Sequence, residues 1–440
     1  MSNECVYCMN DIPFEMPDEI IEAAKCGNLV LFCGAGISTE NKNVLPFSFY
    51  KSICEELDVS DDISFSELMQ KYCELPNGRR KLIKKIRERF QYINSFSEIK
   101  RQATAFHKEL SEIHQIKTII TTNWDTYFEE YCGASSITIP EDFTLWDEHL
   151  RHVIKIHGSM SNIGSIIATT KDYEKCYLSL QNGIIGATLK NLLATKTVVF
   201  IGFSFGDEDF DQILKYLCDE MGDLFPHIYT VSLDKSLKDK LDYKNSTNIL
   251  TSGLYFIHKL KEILVASGDI VNCNIEPVVD CALDMIMDIH SKTSKIDINT
   301  FPSAIFTLAY QDGVIHAFER FKETYKTGEY NHPCYISAVA KKYQAIIYDC
   351  HKAKNYWDEA YFEGYLNGIV FIGACESLED AIKIFPFLYL PNAKKELNSL
   401  EIYHEELKRV SSAKSLYHRY ASNIVKKRGG DDMIVHHPPF

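Results

Sequence analysis

The sequence lacks a long apolar run anywhere along its 440 residues. No stretch approaches the roughly 18 consecutive apolar residues that indicate a membrane-spanning helix. Residues 1–19, MSNECVYCMNDIPFEMPDE, have acidic residues and proline where a secretory signal needs an apolar core. We therefore expect a cytoplasmic protein that makes no contact with a membrane.

Basic residues are in deficit. The chain has 47 Lys and Arg residues against 61 Asp and Glu residues, which gives a formal net charge of -14. Because a nucleic-acid backbone is neutralised by clustered Lys and Arg, we expect no direct, sequence-specific nucleic-acid binding. The sequence also has no GxxxxGKS or GxxxxGKT phosphate loop, so any NTPase activity has to come from another protein.

A complete set of paired metal-binding cysteines is missing as well. The 14 cysteines are scattered, and Cys33 lies in an apolar run where a free thiol acts as a small hydrophobe. Cys5 and Cys8 form a CxxC pair, but no second CxxC follows, which leaves half of a zinc site. We therefore expect reduced thiols and no bound metal, and the role of Cys5 and Cys8 stays open.

The stretch NLVLFCGAGISTE, residues 28–40, is the most informative one that is present. Leu29–Cys33 is a short continuous apolar run, which predicts a buried strand of a parallel sheet. Gly34 and Gly36 tolerate positive φ and allow a tight turn with close approach of a ligand. Ser38 or Thr39 suits the N-cap of a following helix, whose free N–H groups favour phosphate. The pattern predicts the diphosphate end of a nucleotide site, with an ordinary strand-to-helix turn as the alternative.

A second strand is predicted over Thr118–Thr121, followed by a polar turn and a helix that begins near Thr126. Asn123 can both donate and accept hydrogen bonds, which suits a ribose hydroxyl or a water molecule held against one. Asp125 can hold Asn123 or the helix N-terminus in place. The alternative is that Asn123 and Asp125 only cap the helix.

Two further predicted strands end in small or polar residues. Val153–Ile156 is followed by His157, whose ordinary pKa of about 6.5 suits a general base. Val198–Ile201 is followed by Gly202 and Ser204. In open α/β sheets such strand ends converge on one ligand crevice.

A fifth strand is predicted within residues 227–234, HIYTVSLD, and Asp234 at its end is a candidate acceptor for ribose hydroxyls. Helical segments separate these strands, since Leu82, Ile83, Ile86 and Phe90 recur with helical spacing in the basic run 77–90, NGRRKLIKKIRERF. The basic residues of that run are most simply a solvated helix face. The whole pattern predicts a Rossmann-like α/β fold with a doubly wound parallel sheet.

The four strand-end motifs, in this order, resemble the motif set of the sirtuin superfamily over about residues 20–260. The motifs are Gly34-Ala35-Gly36-Ile37-Ser38, Thr121-Thr122-Asn123-Trp124-Asp125, His157-Gly158 and Gly202-Phe203-Ser204. The resemblance implies that the glycine loop binds the NAD diphosphate, that Asn123 positions the nicotinamide ribose or the attacking water, and that His157 is the base. We therefore expect catalytic roles for Asn123, His157 and Asp125, and NAD contacts from Gly34, Ala35, Gly36, Ser38, Thr39, Thr122, Gly202, Ser204 and Asp234.

The chain departs from the deacetylating sirtuins between His157 and Gly202. Their four-cysteine zinc module is absent, because only Cys176 occurs there. The stretch ATTKDYEKCY, residues 168–177, instead resembles the bacterial sirtuin-like branch of antiphage defence, whose members hydrolyse NAD. Pro46-Phe47-Ser48-Phe49 stands where the superfamily usually has Pro-Asp-Phe-Arg. The resemblance implies NAD chemistry without protein deacylation.

The sequence therefore predicts an NAD hydrolase that cleaves the nicotinamide–ribose bond and acts as an NAD-depleting effector in abortive infection. The reaction needs a stabilised oxocarbenium-like ribose and a delivered water, and no metal. A sensor that binds NAD or ADP-ribose without turnover is one alternative. An ADP-ribosyl transferase is another, because it shares the first half of the mechanism.

From about residue 290 the pattern becomes mainly helical, with the polar stretch KTSKIDINTFPSA, residues 292–304, at the boundary. We divide the chain into an N-terminal extension, a catalytic domain, a helical C-terminal domain and a mobile tail, over residues 1–16, 17–290, 291–425 and 426–440. The helical domain is expected to mediate homo-oligomerisation or partner docking. The resemblance implies a HerA-type hexameric ATPase as a partner.

Overall fold

A computed structural model describes most of the chain, namely residues 11–41, 44–45, 47–147, 149–203, 214–215, 217–219, 221–234, 245–271, 273–374, 387–413 and 415–428. Cys5, Cys8 and Ser204 lie outside the described residues, as do residues 429–440 of the predicted tail. The chain divides into two compact units, Met1–Asp269 and Ile270–Phe440. The four-part division with a limit at residue 290 stays a prediction, as does the mobility of the tail.

The first unit contains a seven-stranded parallel sheet with the order β3-β4-β2-β1-β5-β6-β7. The strands are β1 (Leu29–Cys33), β2 (Thr118–Thr121), β3 (Ser135–Ile137), β4 (His152–Lys155), β5 (Thr197–Ile201), β6 (Ile228–Ser232) and β7 (Ser246–Leu250). This confirms the predicted α/β class with a doubly wound parallel sheet. The five predicted strands are present, and β3 and β7 are additional strands at the two edges.

The strand order reverses between β1 and β5. β1 pairs with β2 on one side and with β5 on the other, so β2 to β4 lie on one side of β1 and β5 to β7 lie on the other. All five residues of β1 are buried, which explains its continuous apolar sequence. A reversal of this kind opens a crevice at the carboxyl ends of the strands, where open α/β sheets bind their ligands.

Helices cover the sheet and its carboxyl edge. They are α1 (Asp18–Lys25), α2 (Phe49–Leu57), α3 (Phe65–Glu74), α4 (Gly78–Ser95), α5 (Ser97–Ser111), α6 (Tyr127–Cys132), α7 (Thr170–Asn182), α8 (Ile184–Thr195) and α9 (Gly253–Ala266). α2 to α4 share an apolar core that includes Ile53, Leu68 and Leu82, and Ile166 and Ala168 from the segment before α7 pack into it. This core holds the helices in place beside the carboxyl ends of the strands.

The chain after β1 differs from the prediction. Ala35–Ile37 forms a single turn of 3-10 helix, and the next α-helix begins only at Phe49, where the Ser48 side chain accepts a hydrogen bond from Lys51 N at 3.1 Å. The prediction that Ser38 or Thr39 caps a helix is therefore wrong. Ser38 is fully buried, and its hydroxyl donates a hydrogen bond to Asp125 instead.

The second unit is helical in its described part, which confirms the predicted helical C-terminal region. Its helices are α10 (Glu276–Thr293), α11 (Ala304–Thr324), α12 (Pro333–Lys352), α13 (Tyr356–Ala374), α14 (Leu400–Ser412) and α15 (Leu416–Arg428). α11 and α13 approach closely at Gly313 and Gly364. A Cβ atom at either position would collide with the backbone of the other helix, so the contact requires glycine there. Among the described helices of the whole chain, none is both long and apolar enough to cross a membrane.

Candidate active site

A cavity of about 570 Å³ lies at the carboxyl ends of the central strands. Eight of the predicted site residues line it: Gly34, Ala35, Gly36, Thr39, Thr122, Asn123, His157 and Gly202. They come from the ends of β1, β2, β4 and β5, on both sides of the point where the strand order reverses. The structure therefore brings together most of the residues that the sequence proposes.

The other four predicted site residues are not among the described residues that line the cavity. Ser38 and Asp125 are buried behind the lining residues and contact each other. Asp234 follows β6, is exposed, and is not among the described residues that line the cavity. Ser204 lies outside the described residues, so its predicted contact with the cofactor stays a prediction.

The glycine loop is held against the end of β5. Gly34 N donates to Ile201 O at 3.0 Å, and Gly36 N donates to Gly202 O at 3.1 Å. A Cβ atom at Gly34 would lie 2.5 Å from Gly202 O, and one at Gly36 would lie 2.9 Å from the same oxygen. Neither Gly34 nor Gly36 has a positive φ, whereas Gly202 has a φ of 63°. The loop therefore needs Gly34 and Gly36 for close backbone packing, and the prediction that they use positive φ is wrong, because the positive φ lies at Gly202 instead.

Asn123 is 5% exposed and is fixed by three hydrogen bonds. Its Nδ2 donates to Gly34 O at 3.2 Å and to Ser38 Oγ at 3.4 Å, and its backbone N–H donates to Thr121 Oγ1 at 3.0 Å. These bonds assign the orientation of the amide. Its Oδ1 is buried and has no hydrogen-bond partner among the described residues. Asn123 therefore presents an acceptor beside the cavity.

Asp125 helps to hold the Asn123 amide in place through Ser38. Its carboxylate accepts from Ser38 Oγ at 3.0 Å and from Tyr127 N, in the first turn of α6, at 3.2 Å. Burial raises the pKa of the Asp125 carboxyl, and the nearby Lys155 ammonium opposes that rise. Asp125 thus acts on Asn123 through Ser38 and also anchors the start of α6, so its geometry is that of a positioning residue.

The buried ammonium group of Lys155 contacts the residues that support the site. The Lys155 side chain is 0% exposed, and its Nζ donates to Glu129 Oε1 at 3.0 Å and to the backbone oxygen of Asp125. Burial raises the pKa of the Glu129 carboxyl, and Lys155 opposes that rise. The sequence analysis missed this group, although a lysine inside the apolar strand sequence HVIKI was a signal that a buried charge has a partner.

His157 follows β4 and is 5% exposed. Its ring centroid lies 4.9 Å from that of Tyr173 on α7, and both rings line the cavity. Asp172 fixes the start of α7 by accepting backbone N–H bonds from Ala168 and Thr169, and Arg79 forms a 2.7 Å ion pair with it. His157 and Asn123 therefore face one cavity, with Tyr173 held beside the imidazole.

A family model described as a SIR2-like domain matches residues 117–251. These residues run from the start of β2 to just beyond the end of β7, and they include Asn123 and His157. Over these residues the chain is similar to SIR2-like domains.

Curated proteins similar to this chain are named as NAD(+) hydrolases or as a sirtuin. The NAD(+) hydrolase ThsA of Bacillus cereus (strain MSX-D12) is 30% identical over 195 residues, which are 42% of this chain and 39% of that protein. The NAD(+) hydrolase ThsA of Acinetobacter baumannii (strain 532279) is 28% identical over 209 residues, which are 45% of this chain and 41% of that protein. Defense-associated sirtuin 2 of Bacillus subtilis is 22% identical over 249 residues, 54% of this chain and 23% of that protein.

These matches confirm the resemblance to the sirtuin-like branch of bacterial defence. The chain spans about two fifths of the length of the ThsA relatives that it matches. The HerA-type ATPase stays a prediction. Within the part of the chain that the structure describes, no group of three or more His, Cys, Asp or Glu side chains is placed to hold a metal ion.

An ion pair lies at the wall of the cavity on the side of α4. The Arg89 side chain is 10% exposed, and its Nη2 donates to Glu40 Oε1 at 2.8 Å and to Thr39 O at 3.0 Å. The interpretation of residues 77–90 as a solvated helix face is therefore wrong for Arg89. Leu82 and Ile86 of that run are buried, as predicted. Arg89 carries no local sequence signal, because only the fold turns it toward the cavity.

Aromatic side chains form much of the remaining wall of the cavity. They are Phe49, Tyr50, Phe65, Phe90, Trp124, Tyr173 and Phe203. Tyr50 is fixed by a hydrogen bond of 2.6 Å from its hydroxyl to Ile63 O. The cavity therefore combines apolar ring faces with a few fixed polar groups, which is the usual composition of a small-molecule site.

Proposed function

We propose that this chain is an NAD hydrolase that cleaves the nicotinamide–ribose bond and releases nicotinamide and ADP-ribose. The observation that carries the proposal is that Asn123 and His157 face one cavity at the strand-order reversal, with Asn123 Oδ1 buried and without a partner among the described residues. The ThsA relatives are named NAD(+) hydrolases, which supports the same activity here. Asn123 and His157 would be unnecessary for binding alone.

In the proposed reaction the C–N bond between ribose and nicotinamide breaks, and nicotinamide leaves with the bonding electron pair. The ribose becomes oxocarbenium-like, and a water oxygen forms the new bond to its anomeric carbon. His157 accepts the proton that this water loses, or a proton from a ribose hydroxyl. The balance is NAD plus water giving nicotinamide, ADP-ribose and one proton.

Asn123 orients the group that attacks. Its Oδ1 accepts a hydrogen bond from the water or from the ribose hydroxyl, while Gly34 O and Ser38 Oγ hold its Nδ2. Fixing a nucleophile in this way removes part of the entropic cost of reaching the transition state. The buried pair of Ser38 and Asp125 keeps the amide in place between turnovers.

We further propose that the activity depletes cellular NAD during abortive infection, as an effector in bacterial antiphage defence. The name of the Bacillus subtilis relative, Defense-associated sirtuin 2, supports this role. An unregulated NAD hydrolase would harm its own cell. We therefore propose that the helical second unit controls the enzyme through homo-oligomerisation or through docking of a HerA-type ATPase. Light scattering of the purified chain tests this, because a fully active monomer would contradict it.

Chromatography of NAD incubated with the purified full chain tests the hydrolase. The parent is compared with Asn123→Ala and His157→Ala, and with the matched surface variants Asn191→Ala and His149→Ala, whose side chains are exposed. If the chain alone is silent, the incubation is repeated with cell extract. Equimolar nicotinamide and free ADP-ribose from the parent and both surface variants, but from neither site variant, supports the proposal.

Two other outcomes favour the alternative functions. NAD that stays intact in every incubation, while still binding to the chain, supports a sensor without turnover. Nicotinamide that is released while ADP-ribose becomes attached to a protein or a nucleic acid supports an ADP-ribosyl transferase. Mass spectrometry of the macromolecular fraction separates transfer from hydrolysis.

A further inference from the structure

Three polar atoms on residues that line the cavity are buried and have no hydrogen-bond partner among the described residues. They are the acceptor Asn123 Oδ1 and the donors Trp124 Nε1 and Arg89 Nε. A buried polar atom without a partner destabilises the free protein, so such atoms on residues that line a cavity point to a ligand that pairs with them. The proposed mechanism uses Asn123 and leaves Arg89 without a role.

The guanidinium of Arg89 is fixed from one side. Its Nη2 donates to Glu40 Oε1 at 2.8 Å, to Thr39 O at 3.0 Å and to Phe47 O at 3.2 Å. The Phe47 ring lies 5.6 Å from the guanidinium carbon. Because the guanidinium is planar, these contacts through one nitrogen also set the direction of the Nε–H bond. The donor is thus oriented before any ligand arrives.

Glu40 connects Arg89 to the segment that follows the glycine loop. Its second carboxylate oxygen accepts from Phe49 N, at the start of α2, at 3.4 Å. Burial raises the pKa of the Glu40 carboxyl, and the Arg89 guanidinium opposes that rise. Arg89 and Glu40 therefore tie α4 to both ends of the segment between the glycine loop and α2.

The charge of the cavity indicates what Arg89 binds. Of the described lining residues, Arg89 is the one Lys or Arg, and Gly34, Ala35 and Gly36 line the same cavity. A dinucleotide carries two negative charges on its diphosphate, and a guanidinium N–H is a strong donor to a phosphate oxygen. Glu40 offsets the Arg89 charge while the pair holds the Nε–H donor in place.

We propose that Arg89 is a substrate-binding residue whose Nε donates a hydrogen bond to a phosphate oxygen of the dinucleotide. The inference rests on the proposed function only in taking NAD as the substrate. It adds a contact from α4, a helix that lies before the residues matched by the SIR2-like family model. The alternative is that Arg89 only braces the segment between the glycine loop and α2.

Binding of ADP-ribose and adenosine to the full chain separates these two roles. ADP-ribose carries the diphosphate and adenosine does not, and neither requires turnover. Calorimetry gives the ADP-ribose affinity, and ligand-observed NMR gives the adenosine affinity. Arg89→Met is compared with Arg87→Met, a matched control that removes the same charge from an exposed position on α4.

We expect Arg89→Met to weaken ADP-ribose binding by about tenfold to a hundredfold, the usual range for a lost hydrogen bond to a charged group. Adenosine binding should be unchanged, and Arg87→Met should behave like the parent. Equal ADP-ribose affinity in Arg89→Met and the parent would overturn the proposal. An equal loss of ADP-ribose and adenosine binding would show that Arg89 only holds the segment between the glycine loop and α2 in place.

Arg89→Lys tests the same contact if Arg89→Met does not fold. Lysine keeps the charge and lacks the Nε–H group, so it should lose at least severalfold in ADP-ribose affinity while its circular dichroism stays that of the parent. Unchanged affinity in Arg89→Lys would contradict a directed Nε contact. A selective ADP-ribose loss in a chain that never cleaves NAD would support this inference while the hydrolase proposal fails.

Discussion

Ser38 donates a hydrogen bond of 3.0 Å to the buried carboxylate of Asp125, which lies 87 positions later in the chain. The same Ser38 oxygen lies 3.4 Å from Nδ2 of Asn123, the donor in their hydrogen bond. The end of β1 and the end of β2 are therefore joined by a buried chain of three polar side chains. This chain fixes the amide that we propose to orient the attacking water.

Asp125→Asn tests this chain of hydrogen bonds. The substitution keeps the shape of the side chain but removes its charge and one of its two acceptor oxygens, so the carboxylate that accepts from both Ser38 Oγ and Tyr127 N is replaced by a weaker anchor. We expect kcat for NAD cleavage to fall by about tenfold to a hundredfold, as for a lost hydrogen bond to a charged group, with a smaller change in KM. Steady-state kinetics measures both, with exposed Asp223→Asn as the control. Unchanged kcat would show that Asp125 does not position Asn123.

Gly34→Ala tests the close contact between the ends of β1 and β5. The added Cβ atom would lie 2.5 Å from Gly202 O, so the two backbones have to separate. We expect a loss of about 1–3 kcal/mol in the free energy of unfolding and weaker NAD binding. Gly164→Ala is the matched control, because its Cβ atom would lie 3.6 Å from its nearest neighbour, Asn162 Oδ1. Equal stability of the two variants, measured by urea denaturation, would refute the packing argument.

Lys155→Met tests the buried ammonium under the site. Removing it leaves the Glu129 carboxylate without its ion-pair partner, so we expect a loss of about 3–5 kcal/mol in the free energy of unfolding. Adding Glu129→Gln should restore part of that loss, because the neutral amide does not need a cation. Denaturation of the two single variants and the double variant gives the coupling energy. Purely additive losses would mean that the pair is not coupled.

His107 predicts a pH dependence of stability. Burial, with a smaller effect of Lys155, lowers the pKa of His107 to about 3, and both ring nitrogens are buried with no hydrogen-bond partner in the described parts of the chain. Between about pH 6.5 and 3 the His107 imidazole is protonated in the unfolded chain and neutral in the folded chain. The contribution of His107 to the free energy of unfolding is therefore fully present above the unfolded-state pKa of about 6.5. It falls as the pH drops below that value, by up to about 1.4 kcal/mol per pH unit.

His107→Phe removes this titration while keeping a ring of similar shape among Phe106, Tyr127 and Phe128. We expect the variant to be at least as stable as the parent at pH 7, because it buries no unpaired nitrogen. It should also lose less stability between pH 6.5 and 4. Urea denaturation across this range measures both effects. Identical pH profiles for parent and variant would mean that His107 is not the neutral, buried group described here.

The strand ends were predictable because each depends on a short local pattern. An apolar run followed by glycine, asparagine or histidine predicts a strand and its polar end, and the parallel fold then places these ends on one edge. β3 and β7 were missed because β3 has three residues and β7, STNIL, has no continuous apolar run. Both lie at the edges of the sheet, where burial constrains the sequence less.

The rest of the site depends on contacts between distant parts of the chain. Ser38 has the residue type of an N-cap, yet Asp125 holds its hydroxyl, and no local pattern reports that partner. Arg89 lies in a basic run that resembles a solvated face, and only the packing of α4 brings it to Glu40. Tyr173 reaches His157 because Arg79 and Asp172 fix the start of α7. These relationships become visible only when the fold is known.

The most direct test of the account measures nicotinamide and free ADP-ribose in NAD incubations of the parent, Asn123→Ala and His157→Ala. The two site variants must first bind ADP-ribose with an affinity close to that of the parent, which shows that the cavity is intact. The account predicts equimolar products from the parent and a loss of at least about a hundredfold in rate for each variant. Product formation by both variants at the parental rate would contradict it, because the reaction would then not use these residues.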